Sequence, residues 1–260
     1  FRLVLIKPSH YDDNGYVIQW VRSAIPSNSL ASLHALAADC AARQAWGPDC
    51  DIDIEAFDET NTRIKPARIA RRVLAADGGL VGLVGVQWTQ FPRAPDIARS
   101  LRASGVAVVI GGFHISGCLA MLPELPSDIK EALAMGISIF AGEAEGRLEQ
   151  VLQDAWLKQL KPIYNYMDDL PALDGAVYPI LPPQAVARTA GSVTSFDAGR
   201  GCPFQCSFCT IINVQGRKSR HRTADDVEQI VRANLAHGVK SFFITDDNFA
   251  RNRNWEAIFD

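Results

Sequence analysis

Short apolar runs recur along the first 150 residues, and each is followed by a stretch with helical spacing. Strands are read at residues 3–6, 51–57, 80–86, 106–110 and 137–140. Helices are read at 27–45, 65–76, 95–104, 127–135 and 145–157. This alternation commits the chain to βαβ units, hence to a parallel sheet with helices on both faces. The expected class is α/β, opening with a doubly wound, Rossmann-like sheet. The run 80–86 lacks polar alternation, as a strand buried on both faces should. In the first helix Leu30, Leu33, Ala37 and Cys40 share a face, Ser27 or Ser29 can cap the start, and Gly47-Pro48 ends it. Sheets of this kind bind ligands outside the carboxyl ends of their strands.

Beyond residue 160 the texture changes. Residues 161–190 are proline-rich with little periodicity, which predicts an extended surface linker. A strand at 192–196, a cysteine-bearing loop, a helix at 223–237 and a strand at 240–245 follow. Thr223 caps that helix, Asp225 and Asp226 sit in its first turn, and Gly238 closes it. The expected division is therefore 1–160, 161–190 and 191–260. The chain begins with Phe1 and ends within a helical pattern at Asp260, so it is expected to be cut at its C-terminal end at least.

Composition narrows the function. The net charge of −3 argues against a general electrostatic hold on nucleic acid. No apolar run approaches the roughly 20 residues of a membrane span, and no signal sequence opens the chain. A cytoplasmic protein is expected. Of six cysteines, Cys40, Cys50 and Cys118 are scattered and should pack as small apolar groups. The other three crowd together, which in a cytoplasmic chain points to metal.

That cluster reads Gly201-Cys202-Pro203-Phe204-Gln205-Cys206-Ser207-Phe208-Cys209, a C-x3-C-x2-C spacing. Closed zinc sites take four protein ligands, and a cubane iron–sulfur cluster usually takes four thiolates. Three thiolates leave one iron without a protein ligand, where a substrate or cofactor can coordinate. The alternative is a structural zinc, with no obvious fourth ligand. The motif resembles the signature of the radical S-adenosylmethionine (SAM) superfamily. The resemblance implies a [4Fe-4S] cluster on Cys202, Cys206 and Cys209 that reductively cleaves SAM, on a loop following the first strand of a partial (β/α) barrel. It places Phe208 near the adenine. The segment Phe242-Phe-Ile-Thr-Asp246-Asp247-Asn248-Phe249 resembles the second-strand segment of cobalamin-binding members, which implies that Asp246 or Asp247 faces the SAM ammonium or ribose. The bland alternative is that these aspartates cap the next helix. The charge run from Arg217 through Arg220 to Arg222 is either a solvated face or, by the resemblance, a holder of a carboxylate.

The N-terminal region is similar to the cobalamin-binding domain that precedes such barrels. Gly111-Gly112-Phe-His114-Ile-Ser116, following the fourth strand, and Gly142-Glu143-Ala-Glu145, following the fifth, carry the likeness, and Thr89 sits where a small hydroxyl residue often lines the same groove. Glycines permit close backbone approach to a ligand. The loop after the first strand has His10 but lacks the flanking Asp and Gly of cobalt-ligating loops, so His10 is not assigned to cobalt, and His114 is expected to be structural. A generic flavodoxin-like sheet is the alternative. The resemblance implies a cobalamin-dependent radical SAM enzyme that methylates an unactivated carbon of a small-molecule substrate, reduced by a ferredoxin or flavodoxin. Other radical chemistry without methyl transfer, and a non-catalytic iron–sulfur or corrinoid carrier, remain open.

Overall fold

A computed structural model describes residues 1–47 and 49–260; Pro48, read above as part of a helix stop, lies outside the described residues. The first six strands are β1 (Arg2–Lys7), β2 (Asp53–Asp58), β3 (Gly79–Leu83), β4 (Ala107–Gly111), β5 (Ser138–Ala141) and β6 (Ile163–Asn165). They form one parallel sheet in the order β2-β1-β3-β4-β5-β6. The order reverses at β1/β3, the point at which such sheets open a crevice. Helices α1 (Asn28–Ala42), α2 (Pro66–Leu74), α3 (Arg93–Ala103), α4 (Phe113–Met121), α5 (Ser127–Ala134) and α6 (Leu148–Trp156) connect and cover it.

Strand pleating explains the two layers, because successive side chains point to opposite faces. Val4 and Ile6 pack with Ile69, Val73, Ile97 and Leu101 of α2 and α3. Leu3 and Leu5 pack with Leu30, Ala37, Val151 and Leu152 of α1 and α6. Ser27 caps α1, its hydroxyl accepting the Leu30 N–H.

Several expectations need correction. The strand expected over 80–86 stops at Leu83, because Gly85 turns to φ +61° and breaks the extended run. The Gly-Gly segment does not stay a loop: α4 starts at Phe113, directly after Gly112. Nor is 161–190 only a surface linker. Ile163–Asn165 pairs in parallel with β5 as the sixth strand, burying Tyr164, and a short helix α7 (Pro183–Val186) seats Val186 in the core. The sheet thus runs five residues past the expected boundary at 160. Strand β6 is too short to have a readable period.

The remainder begins with β7 (Val193–Phe196) and contains an antiparallel pair, β8 (Gly199–Arg200) with β9 (Arg220–His221), too short to carry a readable period in the sequence. Helix α8 (Ile211–Val214) follows the cysteines. Helix α9 (Ala224–Ala236) leads to β10 (Ser241–Ile244), which pairs in parallel with β7. A 3-10 turn (Phe249–Arg251) and α10 (Trp255–Phe259) complete the chain. The Thr223–Asp226 capping box fixes the start of α9. Among the described residues, no helix is long and apolar enough to cross a membrane.

Candidate functional site

A cleft of about 220 Å³, partly open to solvent, lies between the sheet, α1 and α6. Its floor owes its depth to two missing side chains. Gly82 sits on the same sheet face as Leu80, and Gly111 on the same face as Val109, so both present only Cα to the cleft. Gly111 is among the expected residues; Gly82 was missed, having been read as one more position in an apolar strand.

Gly112 also borders the cleft, at φ +146°, but its conformation serves the chain itself. A Cβ there would lie 2.2 Å from the Val86 nitrogen. Gly142 is similar, at φ +105°, with the Tyr166 backbone 2.9 Å from its missing Cβ. The Ser116 hydroxyl, buried in α4, accepts the Gly142 N–H at 3.0 Å and so ties the first turn of α4 to the loop after β5. Thr89 is exposed in the turn after β3 and is not among the residues that line this cleft. The hydroxyls come instead from α1, as Ser29 and Ser32. Ser32 Oγ and Asn28 Oδ1 are buried without a protein partner, two polar points in an otherwise largely apolar lining. Sequence periodicity offered no signal for them, because they lie on the polar side of α1.

The wall of the cleft opposite the sheet comes from the second part of the chain, through Arg200, Val214 and Gln215. Arg200 donates to Asp197 at 2.9 Å, to Glu143 at 2.8 Å and to Glu145 at 2.7 Å. Arg220 also donates to Glu143, at 2.8 Å. Burial pushes the Asp197 carboxyl up, but Arg200 and Arg222 outweigh it and hold its pKa at about 2. The same contest lowers Glu145, where Arg200 overcomes burial. The solvated-face reading of the charge run holds for the exposed Arg217 and Lys218 but not for Arg220 or Arg222. Arg222 is 1% exposed, and its guanidinium donates to the carbonyls of Asp197 and Leu173.

The three cysteines lie on the loop between β8 and α8, all as free thiols. Cys206 is exposed; Cys202 and Cys209 are half-buried. The Cys202 N–H donates to the Gly216 carbonyl and the Cys209 N–H to the Cys206 carbonyl, each at 3.1 Å. Among the described residues no His, Cys, Asp and Glu side chains are grouped into a ready-made metal cage. The donor set, three thiols within eight residues and no fourth on the loop, is that of a cluster with one iron left open. Phe208 is 88% exposed at this loop. Asp246 follows β10. Burial raises its pKa to about 6, although the backbone N–H groups of Ala198 and Gly199 pull it down. Its Oδ1 accepts the Ala198 N–H at 2.7 Å, so Asp246 braces the start of β8 rather than capping a helix. Asp247 is exposed beside it. His114 packs against Phe91 with the rings tilted and faces Asp128 at 3.6 Å, a structural placement away from the cleft lining.

No family model matches the chain. It is 30% identical over 200 residues to bacteriochlorophyllide d C-8(2)-methyltransferase of Chlorobaculum tepidum, covering 70% of this chain and 41% of that enzyme. It is 26% identical over 165 residues to hopanoid C-2 methylase of Rhodopseudomonas palustris, covering 63% of this chain and 29% of that enzyme. Among solved structures it is similar to TsrM of Kitasatospora setae, a radical S-adenosylmethionine methyltransferase seen with tryptophan substrate and a SAM analogue. The TM-score is 0.61 at 15% identity, over 96% of this chain and 48% of that one. OxsB, a cobalamin-dependent SAM radical enzyme seen with aqua-cobalamin and SAM, matches at TM-score 0.57 and 15% identity, over 95% of this chain and 34% of that one. The chain therefore spans less than half the length of these proteins, and the structural likeness is one of fold.

Proposed function

Starting from its kinship with the cobalamin-binding radical SAM enzymes, we propose that this chain is the cofactor-carrying part of a methyltransferase that acts on an unactivated carbon of a small molecule. Residues 1–165, the sheet with its sixth strand, serve as the cobalamin-binding unit, 166–190 as the connection, and 191–260 as the opening of the SAM-cleaving barrel. One observation carries the reading: a C-x3-C-x2-C loop and a glycine-floored cleft at a parallel-sheet switch point share Arg200 as a common boundary.

The thiolates of Cys202, Cys206 and Cys209 hold a [4Fe-4S] cluster and leave one iron open to SAM. When bound, the cluster supplies the electron that cleaves SAM, and cobalamin supplies the methyl group. The protein binds, orients and shields. Asp246 offers its Oδ2 beside Gly199 to a cationic or hydroxyl group of SAM. Phe208 offers a flat apolar face to the adenine. The cleft over Gly82, Gly111 and Gly112 receives the cobalamin tail, with Asn28 Oδ1 and Ser32 Oγ free to meet its polar groups. Thr89 is not assigned to it. The reading takes a ferredoxin or flavodoxin as the electron donor and the cytoplasm as the protein's location.

Anaerobic reconstitution of the full-length protein tests this. A near-400 nm iron–sulfur band, cobalamin uptake, and formation of both 5′-deoxyadenosine and S-adenosylhomocysteine are expected. Deoxyadenosine without S-adenosylhomocysteine would replace methyl transfer with other radical chemistry. Zinc on the loop, or a cluster indifferent to SAM, would end the assignment.

A further inference from the structure

Glu143 and Glu145 match a cofactor-groove motif, yet their carboxylates are already engaged. Arg200 spreads its three guanidinium nitrogens over three different acids: Nε to Asp197, Nη1 to Glu143 and Nη2 to Glu145. All four side chains are 5–11% exposed. Arg220, opposite Arg200 in the β8–β9 register, holds Glu143 from the other side. Asp197 Oδ1 also accepts the Asn28 Nδ2 at 2.7 Å, which extends the network to the first turn of α1. The network sets Arg200 and Arg220 against three carboxylates, with the buried Arg222 supplying a third positive charge near Asp197, and it favours one arrangement because a shift leaves a buried charge uncompensated.

Arg200 has the cleft on one side and the thiol loop on the other. Cys202 lies two residues beyond it, and the intervening Gly201 is clamped. At φ +79°, a Cβ on Gly201 would sit 2.4 Å from the Lys218 carbonyl oxygen, and its N–H donates to Gln215 Oε1 at 3.2 Å. Little slack separates the guanidinium from the first cysteine. We propose that Arg200 is a positioning residue that couples occupancy of the cleft to the geometry of the cysteine loop, with Arg220 holding Glu143 in place for it. The proposal rests on the cofactor assignments above. A ligand seated against Arg200 biases the loop, and a ligand on the loop biases the cleft by the same factor, since binding linkage is reciprocal.

The test uses full-length protein, anaerobically reconstituted with iron and sulfide, with hydroxocobalamin and SAM as probes. The SAM dissociation constant and the electron paramagnetic resonance (EPR) spectrum of the reduced cluster are measured with and without cobalamin. In the wild type, cobalamin changes the SAM constant by about five-fold or more and alters the EPR signal. Arg200→Lys keeps the charge but cannot fork to three acids. It should retain iron and cobalamin content while the coupling factor falls toward one and the spectral change disappears. Glu145→Gln removes one arm and should reduce the factor partway. Should Arg200→Lys fail to fold or load, Glu145→Gln decides, and coupling unchanged in it overturns the proposal. Wild-type protein that takes up both cofactors with independent affinities refutes the coupling alone. Wild-type protein that takes up neither refutes the functional reading and the coupling together.

Discussion

The two ends of the molecule are held together by different forces. The six-stranded sheet has dense apolar layers on both faces, built from side chains of every covering helix. The cysteine-bearing segment has a much smaller apolar cluster of its own, centred on Phe196, Ala198, Val227 and Ile230. Its order comes from directional ties instead: the Thr223 capping box, Arg222 on backbone carbonyls, Asn252 on Ala198, and the Arg200 network. Apolar packing makes a rigid scaffold. Polar ties hold a loop in place while leaving its thiols and Phe208 accessible.

The sharpest way to break this contrast is at the thiols. Cys206→Ser should abolish cluster assembly, with bound iron falling close to zero, while far-ultraviolet circular dichroism stays at the wild-type level. Loss of the folded signal as well would mean that the loop contributes to the scaffold. Leu101→Ala, in the apolar layer, should cost about 2–5 kcal/mol in denaturant unfolding, with no local compensation. A smaller loss would mean that the layer collapses around the gap.

Asp197 probes the polar side. Its carboxyl is fully buried and its pKa is depressed to about 2. A depressed folded-state value stabilises the fold above the unfolded value, near 3.9, and that stability is lost as pH falls through about 2. Asp197→Asn should therefore lower stability at pH 7 by about 2 kcal/mol and flatten the decline between pH 4 and 2, read by unfolding at a series of pH values. Thr223→Ala should cost about 1 kcal/mol, visible as earlier hydrogen exchange in α9. The smallest change is at Asp246. Its raised value, about 6, has the opposite sign: the neutral form favours folding below the unfolded value, and that advantage is lost as pH rises through about 6. If Asp246 accepts from SAM, binding should tighten across the same interval by a few fold, and Asp246→Asn should remove the slope. A slope that persists in the variant assigns it to another group.

Much of this was legible locally. Strands β1 and β4 declare themselves because an unbroken apolar run of four or five residues has few other stable uses. The caps Ser27 and Thr223 are legible because the groups they satisfy lie three residues away. Elements that depend on distant partners were hidden. Strand β6 exists because β5 offers it an edge, and β8–β9 because Arg200 and Arg220 face the same carboxylate. Helix α4 was missed because Phe113–Met121 is apolar over most of its surface and carries Gly117, so its spacing has no clear face.

The amino-acid order by itself determined the class of fold, the alternation of the first five strands with helices, and the three-thiol loop, because each depends on covalent spacing and on hydrogen bonds within a few residues. The tertiary structure decided which groups remain free. Thr89 was displaced to the surface, Asn28 and Ser32 were left with orphan oxygens in the cleft, and Glu143 and Glu145 were taken up by arginines more than fifty residues away. A charge is neutralised by whatever folding brings within about 3 Å of it, and sequence separation places no bound on that.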